Sequence, residues 1–275
     1  MSFITSTQIQ GGRITGGLGN QLFRIGAIIG TASKHGTNFV FPKWEYSKYF
    51  KNEDLFNAID IHTKFRYHEQ QFAFQYIPSY PDSVDLIGYF QSEKYFCHNQ
   101  QEVRRVLIFK DDVINKVKDK LNIEENTCSV HIRHGDAFDR ERGCGHIDCQ
   151  DKHPIMTPSY YQQCFEIMLR NNVSKFYIFY DHEKTKEWIF KNIDLSHINH
   201  FFVDNLESDV EDFVAMSLCG NNIIANSTFS WWAAWLNKCE NKIVCAPHST
   251  QWFGPSYAHL DAGDVIPARW QMVKN

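Results

Sequence analysis

The chain of 275 residues contains 43% hydrophobic and 22% charged residues, a composition typical of ordinary globular proteins. Its length allows one large domain or two of modest size. The formal net charge of −4 gives no basic footprint for nucleic acid, so local groups would have to hold any anionic ligand. No apolar run approaches the ~18 residues of a membrane span, and the N-terminus lacks the form of a signal peptide. We therefore expect a cytoplasmic protein without a transmembrane segment.

The first predicted unit surrounds the glycine-rich sequence GGLGNQLFRIG, from Gly16 to Gly26. A strand-like run at Gln8–Thr15 precedes it, a helical run extends from Gln21 to about Lys34, and a second strand is predicted at Asn38–Pro42. This order predicts a βαβ unit, in which glycines allow a sharp turn and a helix N-terminus can face an anion.

The glycines of this stretch fail both sequence tests for a nucleotide phosphate loop. The dinucleotide fingerprint requires glycine at its sixth position, and counting from Gly17 that position is Leu22. The phosphate-loop pattern fails because no Gly-Lys-Ser/Thr follows. Gly26 and Gly30, one helical turn apart, are interpreted as flat places where the helix packs against its sheet. By itself the stretch predicts a turn in an α/β domain.

Short apolar runs and amphipathic helices alternate along the rest of the chain. In the first half a strand is predicted from Leu86, and helical sequence from about Ser92 to Asn122. The strands predicted in the second half are Thr127–Arg133, Lys175–Asp181, Asn199–Val203, Asn221–Ala225 and Lys242–Ala246. The helices predicted between them are Ser159–Asn171, Lys184–Lys191, Val210–Gly220 and Phe229–Asn237. Strict alternation predicts a parallel sheet covered on both faces, which binds ligands outside the carboxyl ends of its strands.

The sequence SVHIRHGDAF, from Ser129 to Phe138, brings a histidine and an arginine to the end of a predicted strand. Arg133 could grip phosphate oxygens, and a neutral His131 could contact a base, a ribose or a phosphate. Each residue alone has a simpler interpretation, a satisfied core histidine for His131 and a surface ion pair for Arg133. Their occurrence together, followed by Gly135 and Asp136, favours a binding site.

The sequence IIANSTFSWWAAWLN, from Ile223 to Asn237, ends an apolar strand and begins a helix. The three residues at the junction carry side-chain donors, which suits a phosphate group at a helix N-terminus, and the alternative is a plain N-cap. They are Asn226, Ser227 and Thr228. We interpret the three tryptophans of the helix as core residues and leave a stacking platform open only for Phe229 or Trp231.

The eight cysteines do not indicate disulfides, because nothing in the sequence indicates a secreted protein. Five lie in or beside apolar runs and are predicted to be small buried hydrophobic residues: Cys97, Cys128, Cys164, Cys219 and Cys245. The polar segment GCGHIDCQDKH is different, because Cys144, His146, Cys149 and His153 have types and spacings that could ligate zinc. We favour a surface loop with incidental thiols, since no familiar finger spacing is present.

Four stretches together resemble the α-1,2-fucosyltransferase family of glycosyltransferases, glycosyltransferase family 11, in form, order and approximate spacing. They are GGLGNQLF, GYFQSEKYF (Gly88 to Phe96), HIRHGD and MSLCGNNIIANSTFSWWAAWLN. The resemblance extends from about residue 12 to residue 247. It implies an α/β fold of the glycosyltransferase B type, with two Rossmann-like domains facing across a cleft. The expected domains are residues 1–124 on the acceptor side and 125–250 for the GDP-sugar, with 251–275 packing back on the first.

The resemblance also implies the reaction, an inverting and metal-independent transfer of fucose from GDP-β-L-fucose to a galactoside, with the 2-hydroxyl as the expected target. It makes Arg133 the pyrophosphate ligand, puts His131 near the nucleotide and offers Asp212 to the guanine edge. The donor-binding turn would consist of Asn226, Ser227, Thr228, Phe229 and Ser230.

On the acceptor side, the resemblance puts the first glycine loop close to the place where fucose meets the acceptor. The implied substrate-binding residues are Gly17, Gly19, Asn20 and Gln21. Asn20 would orient the reacting groups together with Arg133 at the leaving group. Asp136 is the nearest carboxylate to a motif and the candidate general base, although late deprotonation of the acceptor would need no strong base.

The chain departs from the family pattern at several positions, which leaves the acceptor and the linkage more open than the donor. His134 replaces a second arginine, Ala137 a tyrosine, and Arg24-Ile25-Gly26 the usual Gln-Tyr-Ala, while Asp181-His182 stands where paired aspartates are usual. Two alternatives are the same fold with another sugar or linkage, and a catalytically silent nucleotide- or carbohydrate-binding homologue. The intact leaving-group residues argue against the silent homologue. The sequence does not specify an oligomeric state.

Overall fold

The computed structural model describes residues 2–10, 16–134 and 149–274 of the chain. The chain forms two compact units. Unit 1 comprises Met1–Val113 with Gly263–Pro267, and unit 2 comprises Ile114–Ala262 with Ala268–Asn275. Unit 1 thus ends before the expected boundary at residue 124 and includes a short piece of the C-terminal segment.

Unit 1 contains a four-stranded, fully parallel sheet. Its strands are β1 (Phe3–Thr5), β2 (Asn38–Phe39), β3 (Phe65–His68) and β4 (Val84–Ile87), in the order β2-β1-β4-β3. The long helix α1 (Leu18–His35) ends at Gly36, whose φ of +61° closes the helix in the left-handed region that glycine tolerates. Helix α2 (Gln100–Val106) follows, and α3 (Asp111–Lys120) leads into unit 2. The strand order brings the carboxyl ends of β1 and β4 side by side.

The predicted strand at Gln8–Thr15 is wrong for the residues that the structure describes there. The strand lies earlier, at β1, and Thr7–Gln10 form a 3-10 helix. The chain turns because the Thr7 N–H and hydroxyl donate to the two carboxylate oxygens of Asp85 on β4, at 2.9 and 2.8 Å. Residues 11–15 lie outside the described part.

Gly26 and Gly30 allow close packing, as predicted, but the neighbour is not the sheet. A Cβ at Gly26 would lie 2.7 Å from the ring of Phe96, and one at Gly30 would lie 2.0 Å from the carbonyl oxygen of Tyr95. Both contacts belong to the segment after β4. That segment also corrects one cysteine prediction, because Phe96 points into the core and leaves Cys97 exposed, whereas the other four are buried as predicted.

Unit 2 contains a six-stranded parallel sheet in the order β10-β9-β8-β5-β6-β7. The strands are β5 (Thr127–Ile132), β6 (Lys175–Tyr180), β7 (His200–Phe202), β8 (Asn221–Ile223), β9 (Val244–Pro247) and β10 (Gln271–Val273). The helices are α4 (Cys149–Lys152), α5 (Pro158–Arg170), α6 (Glu183–Asn192), α7 (Asp209–Leu218) and α8 (Thr228–Leu236). The predicted alternation and parallel sheet are confirmed, and β10 is an additional short strand. The three tryptophans of α8 are fully buried with ring centroids 5.2 Å apart in sequence order, which confirms their prediction as core residues.

The strand order of unit 2 is that of a Rossmann fold and contains one switch point. From β5, the sheet continues to β6 and β7 on one side and to β8, β9 and β10 on the other. Strands β5 and β8 are hydrogen-bonded neighbours with Val130 opposite Ile223. A crevice for ligands is expected where the connections diverge, so the residues after β5 and β8 occupy the favoured place. Among the described residues, no helix is both long and apolar enough to cross a membrane.

Candidate active site

His131 is the penultimate residue of β5, and its side chain is buried. It is 6% exposed, and its ring centroid lies 5.9 Å from that of Phe229 at the start of α8. Burial lowers the pKa of the imidazole to about 4; the negative charge of Asp181 opposes the shift, and the positive charge of Arg133 adds to it. The ring is therefore neutral at physiological pH. Within the described residues, its Nδ1 atom is buried without a hydrogen-bond partner.

Arg133 follows β5 directly and is half-buried. None of the carboxylates in the described residues forms an ion pair with its guanidinium. The surface ion pair considered from the sequence is thus absent from this part of the chain. A half-buried guanidinium beside a neutral imidazole is suited to an anionic ligand that accepts two parallel hydrogen bonds.

His134, which replaces an arginine of the family pattern, is directed toward α6. Its ring packs edge-on against Trp188, with a centroid separation of 4.5 Å, and burial lowers its pKa. Its backbone N–H donates to Asp181 Oδ1 at 3.3 Å, and the same oxygen accepts from the Thr185 hydroxyl at 2.8 Å. Asp181 therefore fixes the chain where it leaves β5, and His134 is part of the packing there.

The N-terminus of α8 is not capped by a side chain. Ser227 occupies the N-cap position, but its hydroxyl makes no capping hydrogen bond. The first helical bond runs from the Trp231 N–H to the Ser227 carbonyl at 3.0 Å, so the N–H groups of Thr228, Phe229 and Ser230 lie outside the helical ladder. The plain N-cap considered from the sequence is therefore not observed. These N–H groups and the helix dipole favour an anion beside the end of β5.

Two residues of the predicted donor-binding turn have internal partners. The Asn226 amide donates to the carbonyls of Pro154 at 2.8 Å and Trp252 at 3.4 Å, and it is buried. The Ser230 hydroxyl, also buried, donates to the Ser227 carbonyl at 3.4 Å. Both side chains hold the turn in shape, and the N–H groups of Thr228, Phe229 and Ser230 stay outside the helical ladder.

Asp212 lies in the first turns of α7 and is half-buried. Burial, with a smaller contribution from the negative charges of Asp209 and Glu211, raises the pKa of its carboxyl to about 7. No cation of the described residues forms an ion pair with it. Glu211, the next residue back, differs because Lys116 and Lys120 of α3 bind its carboxylate at 2.6 and 3.2 Å. Helix α7 reaches the site through Phe213, whose ring centroid is 5.1 Å from that of Phe229.

In unit 1, the first glycine loop is held by the amide side chain of Gln21. Gly16 has a φ of +80°, and a Cβ there would lie 2.2 Å from Asn20 Nδ2, so both backbone and space require glycine. The buried Gln21 donates to the Gly16 carbonyl at 3.1 Å and accepts from Trp44 Nε1 at 2.6 Å. Gly17 is the N-cap of α1, and Gly19 is buried within the helix. Gln21 therefore fixes the loop from inside.

Asn20 is joined to the segment that follows β4. Its Oδ1 atom accepts a hydrogen bond from Gln91 Nε2 at 2.9 Å. This bond connects two of the sequence motifs, GGLGNQLF and GYFQSEKYF, at the carboxyl edge of the unit 1 sheet.

Sequence reasoning missed the side chains that hold the turn after β4. Arg24 is 2% exposed and its Nε atom donates to the Gly88 carbonyl at 2.7 Å. Glu69, after β3, accepts from the N–H groups of Tyr89 and Phe90 at 2.7 and 2.9 Å. An arginine inside the apolar run LFRIGAII was a usable signal for Arg24, whereas nothing in the local sequence marks Glu69.

The cysteine- and histidine-containing segment and the candidate general base fall largely outside the described residues, as Asp136, Cys144 and His146 do. His153 is described, and its ring centroid lies 5.8 Å from that of Phe253 and 5.7 Å from that of Tyr257. In the ranges that the structure describes, no three His, Cys, Asp or Glu side chains are grouped to hold a metal. The surface loop with incidental thiols therefore stays our prediction, with zinc binding as the untested alternative.

Comparison with known proteins gives consistent matches along the chain. The sequence model of glycosyl transferase family 11 matches residues 32–252. The Escherichia coli alpha-1,2-colitosyltransferase is 30% identical over 218 residues, which cover 76% of this chain and 69% of that protein. The O-antigen biosynthesis glycosyltransferase WbnK of Escherichia coli is 32% identical over 177 residues, 61% of this chain and 55% of that protein.

Solved structures with a similar fold include two fucosyltransferases. NodZ from Bradyrhizobium has a TM-score of 0.52 and 12% identity, covering 86% of this chain and 94% of that one. POFUT1 in complex with GDP-fucose has a TM-score of 0.51 and 10% identity, covering 88% and 95%. At this identity the likeness concerns the fold alone, and it confirms the predicted α/β fold of the glycosyltransferase B type.

Proposed function

Because the chain belongs to glycosyl transferase family 11 and is a glycosyltransferase, we propose that it transfers L-fucose from GDP-β-L-fucose to a galactoside. The acceptor atom is a hydroxyl oxygen, with the 2-hydroxyl as the first candidate, and the configuration at the sugar's C1 is inverted. The observation that carries this proposal is the pairing of His131, near the end of β5, and Arg133, just after it, with the uncapped N-terminus of α8, at the switch point of the unit 2 sheet.

The leaving group is the part of the reaction that these residues suit best. As the bond between C1 and the phosphate oxygen breaks, negative charge grows on the diphosphate of GDP. Arg133 supplies a full positive charge, and the N–H groups at the start of α8 supply fixed partial charges. The neutral imidazole of His131 can donate one hydrogen bond without adding charge. These groups can stabilise the negative charge of the leaving diphosphate without a metal ion, which supports a metal-independent reaction.

Inversion requires attack from the face opposite the leaving diphosphate. The acceptor oxygen forms the new bond to C1 while the bond to the phosphate oxygen breaks, through an oxocarbenium-like transition state. The acceptor proton passes to a base, for which Asp136 is our candidate. In unit 1, Asn20 is our candidate for orienting the acceptor, in the glycine loop that Gln21 holds from inside.

Recognition of the nucleotide base is assigned to Asp212. A carboxylate can accept two hydrogen bonds from the N1–H and amino group of guanine. The absence of an ion pair at Asp212 among the described residues supports this role, because its negative charge is not already neutralised. Phe229, between His131 and Phe213, lies on the same side of the unit.

A second donor is supported by the similarity to the alpha-1,2-colitosyltransferase. Colitose differs from fucose by the absence of the 3-hydroxyl, so GDP-colitose presents the same diphosphate and the same C1 to the enzyme. The two donors can be separated, because a site that hydrogen-bonds a hydroxyl discriminates strongly against the analogue that lacks it.

The test is incubation of the purified protein with GDP-fucose or GDP-colitose and a panel of galactose-terminated glycans. Products are identified by mass and by linkage analysis, with and without EDTA. The proposal expects an α-linked product in both conditions. Tight GDP binding without transfer or hydrolysis of any nucleotide sugar would instead identify a silent nucleotide-binding homologue. Dependence of turnover on an added divalent ion would overturn the metal-independent form of the proposal.

A further inference from the structure

The turn after β4, residues 88–91, has a backbone conformation that side chains rarely adopt. Gly88 has a φ of +158° and the fully buried Phe90 has a φ of +54°. A bulky residue with positive φ is an outlier that persists only where its surroundings hold it. Such strain concentrates at functional sites, which suggests that this turn has a functional role in addition to connecting two elements.

Three polar side chains from three different elements hold this turn. Gln8 accepts from the Gly88 N–H at 2.9 Å, and Arg24 donates to the Gly88 carbonyl at 2.7 Å. Glu69 accepts from the next two N–H groups. Burial raises the pKa of Glu69 and lowers that of Arg24 to about 10, so the turn is fixed by two opposite charges withdrawn from water. Withdrawing charges from water is costly, and an ordinary surface turn forms without it.

These hydrogen bonds hold Tyr89 at the surface of the turn. It is 42% exposed, although its neighbour Phe90 is fully buried. The Arg24 guanidinium carbon lies over the ring, 5.2 Å from the centroid, and therefore covers one face. The exposed part of the ring is accessible to a ligand. An aromatic ring held at its backbone and on one face is a rigid platform that loses little entropy when a ligand stacks on it.

Polar groups suited to hydroxyls lie at the same edge of the unit 1 sheet, in the residues next to Tyr89 in sequence and in the glycine loop. Gln91, two residues on, donates to Asn20 Oδ1 at 2.9 Å, so the two amides are in contact at the same edge of the sheet. Concave sites for neutral ligands combine aromatic surface with a few placed polar groups, and a pyranose needs both. The turn contributes the ring, and the glycine loop contributes the amide.

We infer that Tyr89 is the stacking platform for a pyranose ring of the acceptor. This inference rests on the proposed function, in which unit 1 receives the acceptor. Galactose fits the ring because its axial 4-hydroxyl leaves the C–H groups of C3, C4 and C5 together on the opposite face, which can lie against an aromatic ring. Arg24 and Glu69 are positioning residues that hold the ring without touching the sugar.

The decisive variant is Tyr89→Ala, compared with Tyr89→Phe and with Tyr76→Ala. Tyr76 is a matched control in unit 1, because it is 56% exposed and has the Lys34 ammonium 4.7 Å from its ring centroid. We expect Tyr89→Ala to raise the KM for the galactoside by roughly fivefold to tenfold, with the KM for GDP-sugar and the rate of donor hydrolysis unchanged. Tyr89→Phe and Tyr76→Ala should stay within about twofold of the wild type.

A binding measurement separates this inference from the proposed function. Saturation-transfer NMR with methyl β-D-galactopyranoside should show enhancement of the C3–C5 protons for the wild type and its loss in Tyr89→Ala. If Tyr89 only shields Arg24, Tyr89→Ala will lower the Tm and the donor hydrolysis rate and leave the galactoside KM unchanged, which overturns the inference. A wild type that binds no methyl pyranoside overturns it as well, whatever its donor activity. Failure of the proposed function appears separately, as absence of turnover of any GDP-sugar by the wild type.

Discussion

At the carboxyl edge of the unit 2 sheet, three described groups leave hydrogen-bonding capacity for a ligand, whereas at the corresponding edge of unit 1 two charged side chains are bonded to the chain's own backbone. In unit 2 these are the guanidinium of Arg133, the Nδ1 atom of His131 and the first N–H groups of α8. In unit 1, Arg24 and Glu69 are both bonded to the turn after β4. The same kind of sheet edge thus provides charge in one unit and a fixed surface shape in the other.

The largest effect is expected from Arg133→Ala. Two charge-assisted hydrogen bonds to the diphosphate, each worth ~1.5–3 kcal/mol, would be lost, so kcat/KM should fall more than about 100-fold. The Tm should stay close to the wild-type value, because Arg133 makes no ion pair with the described carboxylates. Arg170→Ala is the control, since this arginine is exposed on α5 and paired only with Glu166 in the described part of the chain. Near-wild-type turnover in Arg133→Ala would remove the assigned leaving-group site.

The second prediction compares the two arginines directly, as Arg24→Met and Arg133→Met. Removal of Arg24 leaves Glu69 partly buried without its opposite charge and frees the Gly88 carbonyl, which should cost about 3 kcal/mol of the free energy of unfolding. The same substitution at Arg133 should change that free energy by less than about 0.5 kcal/mol while it abolishes transfer. Urea denaturation followed by circular dichroism measures both. Equal destabilisation by the two substitutions would contradict the distinction between the two edges.

The third prediction uses two glycines with positive φ. Gly16→Ala introduces a Cβ against the Asn20 amide, so it should displace Asn20 from Gln91 and lower kcat/KM for the acceptor roughly tenfold. Gly36→Ala, after the other end of α1, is the matched control, because its φ is +61° and a Cβ there meets no described atom within 4 Å. The dissociation constant for GDP should be the same in both variants. A loss of GDP affinity in Gly16→Ala would assign the loop to the nucleotide instead.

The sequence predicted the sheet edge of unit 2 better than that of unit 1, because the residues that form the unit 2 edge are marked by local sequence patterns. In unit 2 the alternating pattern is local, Arg133 directly follows β5, and residues 226–228 come shortly after β8, so the sheet and the residues at its edge could be predicted from the sequence. In unit 1 the turn after β4 is held by Gln8, Arg24 and Glu69, which are far apart in sequence. Their meeting depends on the tertiary fold, and no local pattern marks them. The strand at β3 was missed for a related reason, since FRYH alternates too briefly to differ from the aromatic sequence around it.

The smallest expected effect concerns Asp212, whose raised pKa of about 7 gives GDP binding a dependence on pH. Guanine requires the carboxylate form, so GDP affinity should increase from about pH 6 to about pH 7, by roughly fivefold, as the proton leaves. The free protein should become less stable as the pH rises through this range, because the folded state binds this proton more tightly than the unfolded state does. Calorimetric titration with GDP at the two pH values measures the affinity, and Asp212→Asn is the control. Since the diphosphate titrates in this range too, the two proteins must be compared. An identical pH dependence in the wild type and Asp212→Asn would assign the effect to the diphosphate and would contradict the role of Asp212 in binding guanine.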